Sequence, residues 1–356
     1  MSAEVGTRSD ELRKPSVWQR VRMFGELIRF SHTIFALPFA VLSAAMAYDK
    51  FLFTIAISDN EWGRKMRAAV DDGMLHRKMV MDAIGILLCM VFARSAAMAF
   101  NRVVDWKFDA ENPRTLKRHI PAGLMSRGTV IGWTIACSVG FVVSTVLFLP
   151  NKWPLILSVP FLAFICGYSL TKRFTSLAHF WLGTSLMLAP ISAWIAVLGD
   201  LTFDYSYGPI FSGEATFSDP VLRYLSFYVP WPPIILGLAV LLWVAGFDII
   251  YSTQDVDVDR KLRLRSVPAR FGVAGALRIA ALCHLGTIGL LFLMPSVFPA
   301  FGMIWYGGVA LVAVLLVYEH ALVRPDDLSR VNAAFFNCNA VVSLGLLAVG
   351  IADLLV

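Results

Sequence analysis

The chain has 356 residues, 58% of them apolar and only 16% charged, with a mean hydropathy of +0.68. A soluble domain carries about 45–50% apolar and about 25% charged residues, so this chain has too few charges to cover the surface of one or two soluble domains. The net charge of +6 gives no sign of nucleic-acid binding, because the basic residues are scattered between long apolar runs. Cys89, Cys137, Cys166, Cys283 and Cys338 are isolated and form no CxxC pair, so they read as small buried apolar residues and not as a disulfide frame or a zinc site. The composition is that of a polytopic membrane protein.

Residues 1–16 are polar, with Glu4, Asp10 and Glu11 among them. They hold no apolar signal core, and the acids argue against a mitochondrial transit peptide. Val17, Val21, Phe24 and Ile28 share one helical face, which predicts an interfacial helix before the first span. A frayed start to span one is the alternative. Residues 1–32 are thus expected to form a cytoplasmic segment, and 33–356 a transmembrane domain.

A spanning helix needs about 20 mostly apolar residues. Nine stretches qualify: 33–57, 80–100, 128–149, 153–171, 177–198, 230–250, 272–294, 298–319 and 333–355. Asp49 and Lys50 interrupt the first, which is expected to stop early. The fold class is therefore an all-α membrane protein. With the N-terminus inside, 21 of the 31 Lys and Arg residues fall in inside segments and 8 in outside ones, which favours that orientation. The segments 48–79 and 199–229 read as long outside loops.

The acids cluster at two places. After span two, Asn101, Asp105 and Asp109 are four apart, so they stack on one helical face. After span six, Asp255 and Asp259 repeat the spacing, with Tyr251 one turn earlier and Asp257 pointing away. Each cluster follows an even-numbered span on the same side of the membrane, which suggests a four-helix internal repeat. Magnesium binds one or two carboxylates and completes its shell from water and phosphate oxygens. Two facing clusters can hold two such ions on a diphosphate. Arg102, Arg114, Arg118, Lys172, Arg173 and Lys261 lie nearby to bind the remaining phosphate oxygens.

These motifs resemble those of the UbiA family of intramembrane aromatic prenyltransferases. The family's NxxxDxxxD is matched by Asn101, Asp105 and Asp109, and its Tyr-preceded DxxxD by Tyr251, Asp255 and Asp259. Tyr168 to Thr175, holding Lys172 and Arg173, resembles the family's aromatic-basic loop, as does Arg118 to Gly123. Residues 30–38 and 188–194 are similar to the bacterial quinone-pathway branch, which contains 4-hydroxybenzoate polyprenyltransferases and enzymes of an alternative menaquinone route. The resemblance covers nearly the whole chain from about Arg29.

It implies nine helices around a central cavity open sideways to lipid, a polyprenyl diphosphate donor and an aromatic acid acceptor. Asp105, Asp109, Asp255, Asp259 and Tyr251 would be catalytic, with magnesium on the aspartates and Asn101. It further implies a bacterial inner membrane location, with hydroxybenzoate expected first and a dihydroxynaphthoate-type acceptor as the alternative. Arg94, seven residues before Asn101, shares its face about 10 Å deeper. It is the candidate for the acceptor's carboxylate, with Arg29 in reserve; a structural partner on a neighbouring helix is the competing reading. A secondary transporter is the rival of a different class, because intramembrane acids also mark ion paths. The DxxDG pattern of CDP-alcohol phosphotransferases is absent.

Overall fold

The computed structural model describes residues 23, 25–27, 35–57, 61–71, 73–203 and 230–356. Helices dominate them: α1 (Leu37–Ile57), α2 (Glu61–Asp71), α3 (Met74–Glu111), α4 (Arg127–Ser144), α5 (Trp153–Thr171), α6 (Ala178–Phe203), α7 (Trp231–Ser252), α8 (Val256–Lys261), α9 (Val267–Val297), α10 (Met303–Leu322) and α11 (Asn339–Leu354). Among the described residues, nine helices are long and apolar enough to cross a bilayer, and each overlaps one of the nine stretches read from the sequence.

Two boundaries differ instructively. α1 does not stop at Asp49 and Lys50 but continues to Ile57. Both side chains are only partly buried, and a lysine stem can lie along apolar surface while its head reaches water. α3 begins at Met74, earlier than the charges at His76, Arg77 and Lys78 suggested. There the buried Asp82 takes hydrogen bonds from both Lys78 Nζ and Tyr48 Oη, each at 2.5 Å. That pairing lets a carboxylate enter the helix bundle. With 38 residues, α3 is about 57 Å long, well beyond the roughly 30 Å hydrocarbon layer. Its last turns, which carry the first acidic motif, can therefore stand at the membrane boundary.

The segment read as the 48–79 loop is largely helical, divided between the end of α1, α2 and the start of α3. The 199–229 loop falls mostly outside the described residues, as do most of the expected interfacial helix and Arg29. Leu27 is described, and it is buried against Ala96, Ala99, Met125 and Val130.

α7 is the most enclosed of the nine helices. Gly183 of α6 lies directly on the Leu241 carbonyl of α7, an approach that any Cβ would block. Around α7 the main core joins Leu42, Met46, Trp194, Trp243, Met294 and Trp305. The buried indole N–H groups find acceptors: Trp243 Nε1 donates to Asn339 Oδ1 at 2.6 Å, and Trp305 Nε1 to the Leu291 carbonyl at 2.8 Å. Asn339 Nδ2 donates in turn to Glu319 Oε1 and to the Phe335 carbonyl, both at 3.0 Å. It thereby anchors a π-helical turn at Ala334–Cys338, which sets the Phe335 ring 4.3 Å from that of Tyr251.

Candidate active site

The two acidic motifs face each other across a polar cavity of about 180 Å³. The first lies on the last three turns of α3. Asn101 Nδ2 donates to Asp105 Oδ2 at 2.8 Å, so the four-residue spacing places them in contact. Past α3, the chain turns tightly between Asn112 and Met125. Thr115 Oγ1 donates back to the Asp109 carbonyl at 2.9 Å, which folds Arg114 and Arg118 over the motif.

The second motif straddles a break in the helix. α7 ends at Ser252, Thr253–Asp255 form one 3₁₀ turn, and α8 follows. Asp255 and Asp259 are both buried and line the cavity with Tyr251, whereas Asp257 is exposed.

Each of the four aspartates is held by a basic arm. Arg173 Nη2 meets Asp105 Oδ1 at 3.0 Å, Arg118 Nη1 meets Asp109 Oδ1 at 2.6 Å, and Lys172 Nζ meets Asp259 Oδ2 at 3.3 Å. Arg114 grips both oxygens of Asp255 and donates through Nη1 to Tyr251 Oη at 2.6 Å. Its guanidinium also lies 4.8 Å from the Tyr251 ring centroid. Burial by itself would lower the Arg114 guanidinium, but Asp255 and Tyr251 together hold it above its ordinary range. Lys172 and Arg173 come from the turn between α5 and α6. They tie the outer α5 to both motifs, and the Arg265 N–H donates to the Lys172 carbonyl at 2.6 Å.

Below this polar space lies a larger, mostly apolar chamber of about 370 Å³, walled by α1, α3, α4, α5, α6 and α7 with Phe335. Asn101, Arg118, Tyr168, Asp248 and Tyr251 line both spaces and form the neck between them. Arg94 reaches the chamber wall, and its buried Nε has no hydrogen-bond partner among the described residues.

The donor chemistry of the polar space suits magnesium. The acidic and amide groups are hard oxygen ligands of the kind it prefers. Asp109 Oδ2 is buried without a hydrogen-bond partner among the described residues, the state of a ligand oxygen whose counterpart is a cation. Among the described residues no three acidic, histidine or cysteine side chains converge as a ready-made cage. Magnesium does not require one, since it keeps water and phosphate oxygens in its shell.

Of the residues expected at the site, Asn101, Asp105, Asp109, Arg114, Arg118, Lys172, Arg173, Tyr251, Asp255 and Asp259 come together in the polar space. Two do not. Lys261 is exposed and lines neither cavity. It follows Asp259 by two residues, about 200° around the helix, so its side chain leaves on the opposite face. Arg102 is buried on the chamber side, where Nη1 donates to Asn101 Oδ1 at 3.0 Å.

Sequence reasoning missed Asn112, whose Nδ2 donates to Asp255 Oδ1 at 3.0 Å across the cavity. It also missed Asp248 and its buried partner His179, 2.6 Å apart. The signal for Asp248 was present: it precedes Asp255 by seven residues, two turns along the same face.

Comparison with known proteins agrees with this architecture. Residues 77–341 match the model of the UbiA prenyltransferase family. The 4-hydroxybenzoate octaprenyltransferase of Tolumonas auensis is 30% identical over 69% of this chain and 75% of its own length. That of Nitrosomonas eutropha is 27% identical over 80% of this chain and 88% of its own. Among solved structures, the apo form of a UbiA homologue from Aeropyrum pernix K1 superposes with a TM-score of 0.67 and 31% identity, covering 91% of this chain and 98% of that one. A UbiA homologue from Archaeoglobus fulgidus bound to DMAPP and Mg²⁺ shares the fold at a TM-score of 0.60 and 16% identity, over 94% of this chain and 99% of that one. With nine apolar helices among its described residues and a facing pair of acidic motifs, this integral membrane protein belongs to the UbiA prenyltransferase family.

Proposed function

We propose that this prenyltransferase moves a polyprenyl group from polyprenyl diphosphate to an aromatic acid, with 4-hydroxybenzoate as the acceptor, in ubiquinone or menaquinone biosynthesis. The observation that carries this reading is the joining of two unlike spaces at one neck. A small polar space with four ion-paired aspartates and four basic arms suits a diphosphate with its cations, and an apolar chamber beneath it suits a prenyl chain.

Asn101, Asp105, Asp109, Asp255 and Asp259 would hold magnesium. Magnesium bound there supplies Lewis-acid stabilisation of the charge that develops on the leaving diphosphate. Arg114, Arg118, Lys172 and Arg173 neutralise the aspartates and are within reach to turn their N–H groups to phosphate oxygens. Tyr251 stands at the neck, where its ring face can stabilise the positive charge on the allylic carbon. The apolar walls exclude water that would otherwise capture that carbon. Arg94 offers the chamber a planar fork for an acceptor carboxylate.

The named activity of the Tolumonas and Nitrosomonas relatives supports this acceptor and a long donor. The DMAPP and Mg²⁺ bound to the Archaeoglobus homologue support the metal and the diphosphate. The Lys and Arg distribution supports an N-terminus in the cytoplasm, and the bacterial relatives support an inner-membrane location. A transporter would place its ionisable site near the bilayer midplane, whereas these aspartates stand in the last turns of α3 and just past the end of α7.

The test is transfer by the purified protein in lipid nanodiscs, supplied with magnesium, a polyprenyl diphosphate, and hydroxybenzoate or dihydroxynaphthoate. Products are weighed by mass spectrometry. A prenylated hydroxybenzoate is expected. A product from the naphthoate alone would reassign the acceptor.

A further inference from the structure

Five carboxylates border the two cavities, and they are not equivalent. Asp105, Asp109, Asp255 and Asp259 each face an Arg or Lys side chain. Asp248 does not. Its described partner is His179, whose Nδ1 lies 2.6 Å from Asp248 Oδ2. The side chain of His179 is fully enclosed, and its other ring nitrogen is committed, because Nε2 accepts the Val267 N–H at 3.3 Å. A ring nitrogen that accepts carries no proton, so the proton must sit on Nδ1 and point at Asp248. The histidine therefore acts as a fixed hydrogen-bond donor to one carboxylate oxygen. Ser266 caps the start of α9 by accepting the Ala269 N–H at 3.3 Å, which holds the helix start that supplies the Val267 N–H.

Asp248 lines the neck with Tyr251, one turn along α7, and with Tyr168. It is the one neck carboxylate on the chamber side of the ion-paired set, where the acceptor ring must meet the allylic carbon. The geometry points to Asp248 as the catalytic base that takes the ring proton, with His179 as its positioning residue. This rests on the reading of the reaction given above.

The step balances. The ring carbon ortho to the phenol forms a C–C bond to the allylic carbon as the allylic C–O bond breaks, and that bond's electron pair leaves with the diphosphate. The substituted ring carbon is then tetrahedral and bears one hydrogen too many. The proton passes to Asp248, and the C–H electron pair returns to the ring and restores aromaticity. Of the five, Asp248 is the carboxylate that no Arg or Lys side chain of the described residues occupies, so its second oxygen is free to turn to the ring proton. The His179 N–H holds the syn or anti orientation of that carboxylate without consuming its second oxygen.

Acceptor deuterated at both positions ortho to the phenol tests the assignment in the full-length protein. If loss of the diphosphate limits the wild-type rate, turnover is the same with either isotope. In Asp248→Asn, turnover should fall about 10²- to 10⁴-fold, the usual range for a general base, with little change in donor KM. Proton loss then limits the rate and the deuterated acceptor reacts more slowly. His179→Phe should show a smaller fall with the same isotope effect, and His179→Asn, which can keep an N–H near the Nδ1 position, should recover part of the rate.

Wild-type turnover in Asp248→Asn, or slow turnover with no isotope effect, would overturn the assignment. If Asp248→Asn does not fold, the same comparison is made in Asp248→Ser, which also removes the carboxylate, and wild-type turnover or equal rates for the two isotopes would overturn the assignment. Failure of the wild type on hydroxybenzoate would instead count against the acceptor. The comparison would then be run on dihydroxynaphthoate deuterated at its substituted carbon, so the two claims fail separately.

Discussion

Arg114 and Asp255 join the two acidic motifs. The arginine stands five residues past Asp109, on the turn that follows α3, yet its guanidinium grips both carboxylate oxygens of Asp255 at the start of α8. The same guanidinium donates to Tyr251 and lies against its ring. One side chain thus links the first motif's helix, the second motif's carboxylate and the aromatic group at the neck.

Replacing Arg114 with Lys keeps the charge but loses the fork. Two of the three contacts, to Asp255 and Tyr251, cannot be kept by a single ammonium in the same geometry. We expect the apparent donor KM to rise about tenfold, the weight of roughly one charge-assisted hydrogen bond, while acceptor KM stays near its wild-type value. Since Asp255 and Tyr251 raise Arg114 from an already high range, it stays charged at any working pH. Loss of activity in alkaline buffer would then have another origin. Initial rates across donor concentration check this.

Lys172 and Arg173 sit on the turn between α5 and α6 and reach opposite motifs, Asp259 and Asp105. Removing either arm should raise the donor constant more than the acceptor constant. Steady-state kinetics of Lys172→Ala and Arg173→Ala with both substrates varied measure the split. An equal rise in both constants would point to a general loss of structure.

Arg94 places a buried Nε, without a hydrogen-bond partner among the described residues, at the chamber wall. Arg94→Lys should weaken acceptor binding and spare donor binding, because a lysine cannot grip a carboxylate through two parallel N–H groups. Calorimetric binding of each substrate separates the two. Unchanged acceptor affinity with a lower Tm would make Arg94 structural.

Topology can be checked by cysteine labelling. Thr115 and Leu262 follow the two motifs, and single cysteines near them, at the exposed Leu116 and Lys261, should react from the cytoplasmic side, whereas one near Gly213 should react from outside. Finding Leu116 and Gly213 on the same side would overturn the orientation read from the Lys and Arg distribution.

Much of this was legible in the sequence, for identifiable reasons. Long apolar runs announce spanning helices because backbone groups in lipid must be satisfied within the helix. The four-residue spacing of Asn101, Asp105 and Asp109 placed them on one face without further information. What stayed hidden depended on where the chain turns. Asn112 gains its role only because the turn after α3 carries it across to Asp255. His179 meets Asp248 from another helix 69 positions away, and no local period encodes that. Lys261 shows the converse: it is near Asp259 in sequence but exposed and outside the polar space, because two residues along a helix reverse the face. The end of α1 was hidden as well, because the partly buried Asp49 and Lys50 sit inside the helix without stopping it.

The most direct measurement of the central claim, that two facing aspartate clusters hold magnesium on a diphosphate, is diphosphate release against magnesium concentration in the wild type, Asp105→Ala, Asp255→Ala and Asp257→Ala. Asp105 and Asp255 face the polar space from opposite motifs, and Asp257 is exposed outside it. Loss of several kcal/mol of Lewis-acid stabilisation, about a thousandfold or more in rate, is expected for the first two variants, with helicity and membrane insertion kept. Asp257→Ala should follow the wild-type magnesium curve. Near-normal release by Asp105→Ala at limiting magnesium, or a loss in Asp257→Ala equal to that in Asp255→Ala, would contradict the two-cluster account.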